Sequence, residues 1–175
     1  MPGAGTDVLE HVVRILLVSD NPKLSMGVAS AALGDSDSDL VEVRTPQRAV
    51  ALLDDGERFD VVVGDADTAP SGGFFLAREI KARGQMGRDM PPVVLLLARD
   101  QDRFLSNWSQ ADAYVGKPVD PFNLREVLQS LAAGEGVPEL PGVGGEPTPS
   151  LLDIPGGDSE ADANYSAGGL PAGPG

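Results

Sequence analysis

The sequence contains no cysteine and only one histidine, His11, among its 175 residues. The absence of cysteine excludes disulfides, thiol catalysis and cysteine-ligated metals. A single histidine near the start of the chain nearly excludes a histidine-based triad or a histidine metal cluster. Carboxylates, hydroxyls and amines are therefore the side chains left to carry any chemistry.

Basic residues are also scarce, because 13 Lys and Arg stand against 27 Asp and Glu, which gives a formal net charge of -14. A negative charge of this size repels phosphate backbones, so nucleic acid is not expected as a partner. The longest apolar run, residues 93–98, is far shorter than the roughly 20 residues that cross a bilayer. The first residues also lack the basic start and apolar core of a signal peptide. We therefore expect a cytoplasmic protein with no direct membrane insertion.

The last 42 residues, 134–175, contain 11 Gly, 7 Pro and 7 acids but no Lys or Arg. Such a segment buries too little apolar surface to offset its ordering entropy, which predicts a tail that is disordered or extended when free. Short apolar clusters interrupt it, and the partner-binding candidates among them are Leu151, Leu152, Ile154 and Tyr165. They favour docking along a partner, and a purely solvated tail is the alternative. The predicted division is thus a lead of residues 1–11, a folded part of residues 12–133 and this tail.

In the folded part, short apolar runs alternate with amphipathic stretches. The apolar runs are residues 14–18, 40–44, 61–63, 93–97 and 113–115, and each is typical of a buried strand. Helix starts are indicated where a capping residue precedes proline, as at Thr45-Pro46 and Asp120-Pro121. Five strands alternating with five helices predict an α/β fold with a doubly wound five-stranded parallel sheet covered on both faces.

Charged side chains follow several of these strands at the point where each strand ends. Asp20 follows the first strand, Asp65 the third and Lys117 the fifth. The ligand site of a doubly wound sheet lies beyond the carboxyl ends of its strands, so these three residues should meet at one rim. Paired carboxylates suit Mg²⁺, a lysine suits a phosphoryl group, and a carboxylate can attack phosphorus to give an aspartyl phosphate. From spacing alone, a structural Asp–Lys cluster that stabilises loop ends is equally open.

Over roughly residues 12–133 the chain resembles the receiver domains of response regulators. The matching pieces are RILLVSD at the first strand, FDVVVGD ending at Asp65, and AYVGKP around Lys117. The resemblance implies a flavodoxin-like strand order 2-1-3-4-5, with Asp65 as phosphoacceptor and Lys117 as the phosphate-contacting lysine. It also implies weak Mg²⁺ binding by Asp20, Asp65 and the backbone carbonyl of Asp67, and a Lys117–Pro118 bond that is often cis.

Three positions depart from the receiver pattern. Ser19 stands where a second carboxylate usually follows the first strand, which should lower Mg²⁺ affinity. Leu97 stands where the fourth strand usually ends in Thr or Ser, and leucine cannot donate a hydrogen bond to a phosphoryl group. Residues 68–69 replace the usual Met-Pro after Asp65. These departures indicate a degenerate, non-enzymatic receiver that binds its partner independently of phosphorylation. The alternative is a conventional phosphorylatable single-domain response regulator in a two-component phosphorelay.

Receivers generally bind partners through the fourth helix, fifth strand and fifth helix, where Trp108 and Tyr114 are the candidates in this chain. The run WSQADAYVGKPVDP is also similar to actinobacterial orphan response-regulator-like proteins encoded beside respiratory complex I, the type I NADH:quinone oxidoreductase. This narrower resemblance implies an accessory subunit on the cytoplasmic arm of that complex, and hence a location peripheral to the inner membrane. No output domain is recognised after residue 133, so a stand-alone receiver is expected. A flavodoxin-like electron carrier and a P-loop GTPase are disfavoured because neither phosphate-binding loop is present.

Overall fold

The computed structural model describes residues 12–33, 38–68, 72–99 and 102–145 of the chain. Strands and helices alternate through these ranges, as the sequence predicts. In chain order they are β1 (Val13–Val18), α1 (Pro22–Leu33), β2 (Ser38–Val43), α2 (Pro46–Asp54), β3 (Val61–Asp65), α3 (Gly72–Gln85), β4 (Val93–Leu97), α4 (Arg103–Trp108), β5 (Ala113–Gly116), α5 (Pro121–Ala132) and β6 (Val143–Gly144).

The strands form one sheet in the order β2-β1-β3-β4-β5-β6. Strands β1 to β5 pair in parallel, which confirms the predicted α/β receiver fold and its strand order 2-1-3-4-5. The sixth strand was not predicted; it is short and pairs antiparallel with β5. The sheet edge that follows β5 is therefore covered by a later part of the same chain.

Alternate residues of each central strand pack on opposite faces of the sheet, as the two-residue period of a strand requires. On one face Ile15 and Leu17 lie in a cluster with α1 and α5. On the other face Leu16 and Val18 lie in a cluster with α2 and α3. Burial on both faces explains the unbroken apolar runs, because each fully buried aliphatic side chain contributes about 1.5–3 kcal/mol.

Capping side chains begin two of the long helices at the positions that the sequence indicates. The Thr45 hydroxyl accepts a hydrogen bond from the Arg48 N–H at the start of α2. The Asp120 carboxylate accepts from the Phe122 and Asn123 N–H groups at the start of α5. Each cap satisfies backbone donors that have no partner within the helix and stabilises it by about 1 kcal/mol.

The packed chain extends beyond the boundary predicted at residue 133, since the compact unit ends at Gly145. Residues 134–145, called the strap below, turn back after α5 and form β6. Val137 and Val143 of the strap pack against the core cluster that contains α5. Composition alone suggested that the conformational entropy lost on ordering this segment would prevail. The apolar contacts and the backbone pairing of β6 oppose that entropy cost.

The lead and the remainder of the predicted tail lie outside the described residues. This applies to four of the predicted partner-binding residues, namely Leu151, Leu152, Ile154 and Tyr165. In the ranges that are described, no helix combines the length and the apolar character needed to cross a membrane.

Candidate functional site

The structure brings Asp65 and Lys117 into direct contact at the carboxyl end of the sheet. Asp65 is the last residue of β3 and is only 2% exposed. Its Oδ1 lies 2.6 Å from the Lys117 Nζ and also accepts the Asp67 N–H at 3.0 Å. The same ammonium lies 3.3 Å from the Asp67 carboxylate. The buried charge of Asp65 is therefore paired within the fold, as a buried carboxylate requires. The Lys117–Pro118 peptide bond is cis, in line with the resemblance.

Ser19 completes the hydrogen bonding of the buried carboxylate. Its hydroxyl donates to the Asp65 Oδ2 at 3.2 Å, and it accepts the Asn21 N–H at 3.1 Å. The sequence suggested only that Ser19 removes a negative charge. The structure shows that it supplies a donor instead, so both oxygens of Asp65 are satisfied. Sequence reasoning missed this role because side-chain direction in the loop after β1 is set by the fold.

The predicted metal ligands are the carboxylates of Asp20 and Asp65 and the backbone carbonyl of Asp67. In the parts of the chain that the structure describes, no three His, Asp or Glu side chains lie close enough to hold a metal ion. Both oxygens of Asp65 already accept hydrogen bonds, and Asp20 is exposed. Weak Mg²⁺ binding by Asp20, Asp65 and Asp67 therefore stays a prediction, because a hard cation would need these oxygens to be available.

Leu97 fills the position beside the pocket where receivers usually carry a hydroxyl. It is 3% exposed and packs in the cluster with Leu95 and Ala66, which lie on β4 and just after β3. Its backbone carbonyl accepts the Lys117 N–H at 2.7 Å. The end of β4 is therefore held next to the pocket, and its last side chain, Leu97, is apolar.

Tyr114, a predicted partner-binding residue, is held between two other elements. It lies on β5, opposite Gly144 of the strap. The Arg103 guanidinium of α4 lies 5.3 Å from the centroid of its ring, within the range of a cation–π contact. A small cavity of about 60 Å³ beside the ring is bordered by Leu97, Lys117 and Gly142. Tyr114 thus borders the acidic pocket, but the strap already occupies one side of it.

The other predicted partner-binding residue, Trp108, is exposed on α4. We call Phe104, Leu105 and Trp108 the α4 patch. Phe104 is 72% exposed and Trp108 is 53% exposed, and the Arg78 guanidinium of α3 lies 4.2 Å from the centroid of the Trp108 ring. Such a group of exposed apolar side chains is a common mark of a protein-binding surface.

A cavity of about 670 Å³ lies at the opposite end of the sheet from the acidic pocket. Charged side chains border it together with Phe59 and Met90. Those charges are paired: Arg14 contacts Glu57 at 3.4 Å, and Arg58 contacts Asp89 at 2.7 Å. This cavity has the wrong position and no available charge for the chemistry that the pocket suggests.

The perturbed charges also lie outside the pocket, between α2 and α3. Hydrogen bonds from Arg83 and Arg88 hold the pKa of Asp54 well below its ordinary value, and the bond to Asp54 raises the pKa of Arg83. Asp54 is the last residue of α2, and Arg83 lies near the end of α3. This network is a link between helices rather than a reactive site.

Comparison with known proteins finds similarity to response regulatory proteins and to receiver domains. A Mycobacterium tuberculosis protein described as a response regulatory protein is 32% identical over 136 residues, which cover 75% of this chain and 96% of that protein. The signal receiver domain of a histidine kinase from Syntrophus aciditrophicus is similar in structure, with a TM-score of 0.62, 25% identity, and coverage of 70% of this chain and 92% of that one. A Francisella response regulator receiver domain has a TM-score of 0.61 at 19% identity, covering 70% of this chain and 98% of its own. No protein-family model matches the chain.

Proposed function

Because the chain belongs to the response-regulator family and has the receiver fold, we propose that it is a receiver whose partner-binding surface is independent of phosphorylation. The observation that carries this proposal is the packing of Leu97. This side chain packs as a core residue where a hydroxyl would be needed to sense a phosphoryl group on Asp65. Without that donor, a change at Asp65 has no hydrogen bond through which to move Tyr114. The chain then acts as an interaction module and not as an enzyme.

The α4 patch is the surface that supports partner binding. Most of α4 faces outward, because Ser106 is its only buried residue. The helix therefore contributes little to the core, and its aromatic residues are available to a second protein. Large aromatic side chains at the centre of an interface commonly supply most of its binding free energy.

The proposed partner is respiratory complex I, with this chain as an accessory subunit on its cytoplasmic arm. Support comes from the narrower sequence resemblance around residues 108–121. The apolar residues Leu151, Leu152, Ile154 and Tyr165 would serve as further anchors along the complex. The protein would then sit at the inner membrane through its partner.

The test is copurification of the full-length chain with complex I from gently solubilised membranes of its own host. Wild-type protein and the Asp65→Asn variant should both be recovered with the complex in equal yield. Asn keeps the shape of the side chain but cannot be phosphorylated, so it is the matched control for phosphorylation. Recovery of the wild type as a free monomer would rule out the complex, and loss of binding in Asp65→Asn alone would rule out independence from phosphorylation.

A conventional phosphorylatable response regulator is the second candidate, and the Asp65–Lys117 contact at 2.6 Å favours it. Incubation with acetyl phosphate and Mg²⁺ distinguishes the two. A stable phosphoprotein that is absent in Asp65→Asn, together with altered partner affinity, would establish this candidate. Under our proposal, neither acetyl phosphate nor a Mg²⁺ titration followed through Trp108 fluorescence gives an Asp65-dependent response.

A further inference from the structure

The strap follows a defined path back to the sheet edge. After α5, the Ser130 hydroxyl donates to the Gly136 carbonyl, and the Asn123 side-chain amide donates to the Pro141 carbonyl at 3.0 Å. A tight turn then reverses the chain, closed by the Val143 N–H donating to the Leu140 carbonyl at 3.1 Å. The strap is therefore hydrogen-bonded to α5 at Gly136 and at Pro141 before it reaches β5.

The turn has the sequence that its geometry requires. Pro141 and Gly142 are its central residues, and Gly142 has a φ of +74°. Proline followed by a residue of positive φ is the pattern of a type II turn, in which glycine is favoured at the second central position. The Leu-Pro-Gly-Val run could thus have indicated a turn within the predicted tail.

Two further glycines let the strap lie directly on β5. A side chain at Gly144 would collide with the distal ring atoms and hydroxyl of Tyr114. A side chain at Gly145 would come within 2.6 Å of the Asp112 carbonyl and 2.7 Å of Val137. By contrast, a Cβ at Gly136 would meet nothing within 4 Å. The close approach is therefore specific to the residues that pass over β5.

The strap satisfies the outer edge of β5. The Gly116 N–H donates to the Gly142 carbonyl at 2.8 Å, whereas the neighbouring Lys117 N–H points the other way, to the Leu97 carbonyl of β4. An edge strand with unpaired backbone groups can accept a strand from another protein. Pairing with β6 occupies that edge from within the same chain.

We infer that the strap is an intramolecular lock: it closes the β5 edge against foreign strands and fixes the Tyr114 ring between Gly144 and Arg103. With the ring fixed, the surface formed by α4 and β5 keeps one conformation whatever the state of the Asp65 pocket. This deepens and rests on the proposed function, because it supplies a second reason why partner binding is independent of phosphorylation. The contacts of the lock all lie within the fold, so the lock can be tested without the partner.

Amide hydrogen exchange in the full-length chain, followed by NMR, tests the lock directly. Gly144→Ala should unseat the strap and speed exchange of the Gly116 amide by about tenfold or more, because that amide is bonded to the strap. The Lys117 amide is the internal control and should change by less than about twofold, since it is bonded to β4. The Tyr114 ring should also rotate faster in this variant.

Three further variants control for the effect of Gly144→Ala on exchange of the Gly116 amide. Gly136→Ala alters the same segment without a collision and should leave Gly116 unchanged. In a Tyr114→Val background, which removes the atoms that would collide, Gly144→Ala should have much less effect on Gly116. Asn123→Ala, which removes only the amide bonded to Pro141, should speed Gly116 a few-fold and applies even if Gly144→Ala does not fold. Unchanged Gly116 exchange in both Gly144→Ala and Asn123→Ala, or equal acceleration at Gly116 and Lys117, would overturn the lock.

Discussion

Asp65 accepts hydrogen bonds from Lys117, Asp67 and Ser19, and these three donors surround a carboxylate that is almost wholly buried. Burying a charge is costly unless it is paired and hydrogen-bonded. The arrangement is therefore needed by the folded chain whether or not a phosphoryl group ever reaches it. The pocket can therefore keep its shape in a receiver that does not switch on phosphorylation.

Substitution of Lys117 should show how much the folded state depends on its pairing with Asp65. Lys117→Met leaves the Asp65 carboxylate buried without its cation, and we expect the free energy of unfolding to fall by about 3–5 kcal/mol. In an Asp65→Asn background the same Lys117→Met change should cost clearly less, because no buried charge is stranded. Urea unfolding of the four chains measures this coupling. An equal cost of Lys117→Met in both backgrounds would contradict a buried pair.

Placing a hydroxyl at position 97 tests separately its effect on core packing and its effect on the response to phosphorylation. Leu97→Thr and Leu97→Val leave nearly the same cavity, so their difference isolates the hydroxyl. Thr should be less stable than Val by about 1–3 kcal/mol in urea unfolding, because its hydroxyl enters an apolar cluster. With the strap also released by Gly144→Ala, only Leu97→Thr should gain an acetyl-phosphate response in Trp108 fluorescence, and that response should disappear with Asp65→Asn. A response in the wild type or in Leu97→Val would show that Leu97 is not the block.

Single residues also show how far sequence reasoning reached at the site. Asp65 and Lys117 could be paired in advance, because each lies at the end of a predicted buried strand and parallel strands end at one rim. The role of Ser19 could not, since it depends on how the loop after β1 turns its hydroxyl. The fixed position of Tyr114 could not either, because the contact comes from Gly144, far along the chain.

At the scale of helices and strands, predictability follows the strength of the local pattern. Strands β3 and β4 are buried at every position, so their apolar runs were unmistakable. Helices α2 and α5 carry a capping residue followed by proline, which marked their starts. Strand β6 has two residues in a Gly- and Pro-rich setting and is specified by tertiary pairing alone. The sheet order was therefore predictable through β5 and not beyond it.

Helices α2 and α3 are linked by Asp54, whose carboxylate accepts from Arg83 at 2.8 Å and from Arg88 at 2.6 Å. The lowered pKa means that this carboxylate stabilises the fold above its unfolded pKa, near 4. That contribution is lost as the pH falls through the lower folded pKa. Asp54→Asn should therefore reduce the melting temperature at pH 7, and the difference from the wild type should shrink below about pH 4.

The effect at Asp54 should be small, because the side chain is 40% exposed and the pairs are screened by solvent. Added salt should reduce it further. Asp39→Asn is a suitable control, since Asp39 is also exposed but makes only a 3.3 Å contact with Arg14. Thermal unfolding across pH checks the sign, and a difference that stays constant from pH 7 to pH 3 would exclude Asp54 as its source.

For the whole molecule, the distribution of charge matters more than its total. The chain has a formal net charge of -14, yet Arg78 and Arg103 lie beside the aromatic rings of Trp108 and Tyr114. The α4 patch is thus an apolar surface with a cationic rim on an otherwise acidic protein. Electrostatic complementarity would orient it towards an acidic surface of its partner and away from a second copy of itself.

This arrangement predicts where binding free energy is concentrated. If complex I is the partner, as proposed, Trp108→Ala should weaken that binding by about 30-fold, the effect of losing a central aromatic residue worth about 2 kcal/mol. Met86→Ala is the matched control, because Met86 is even more exposed but follows the end of α3, outside the α4 patch. Neither change should alter the melting temperature much, since both side chains are largely exposed. Binding measured with purified complex I decides the matter: equal affinities for the two variants would move the interface away from α4.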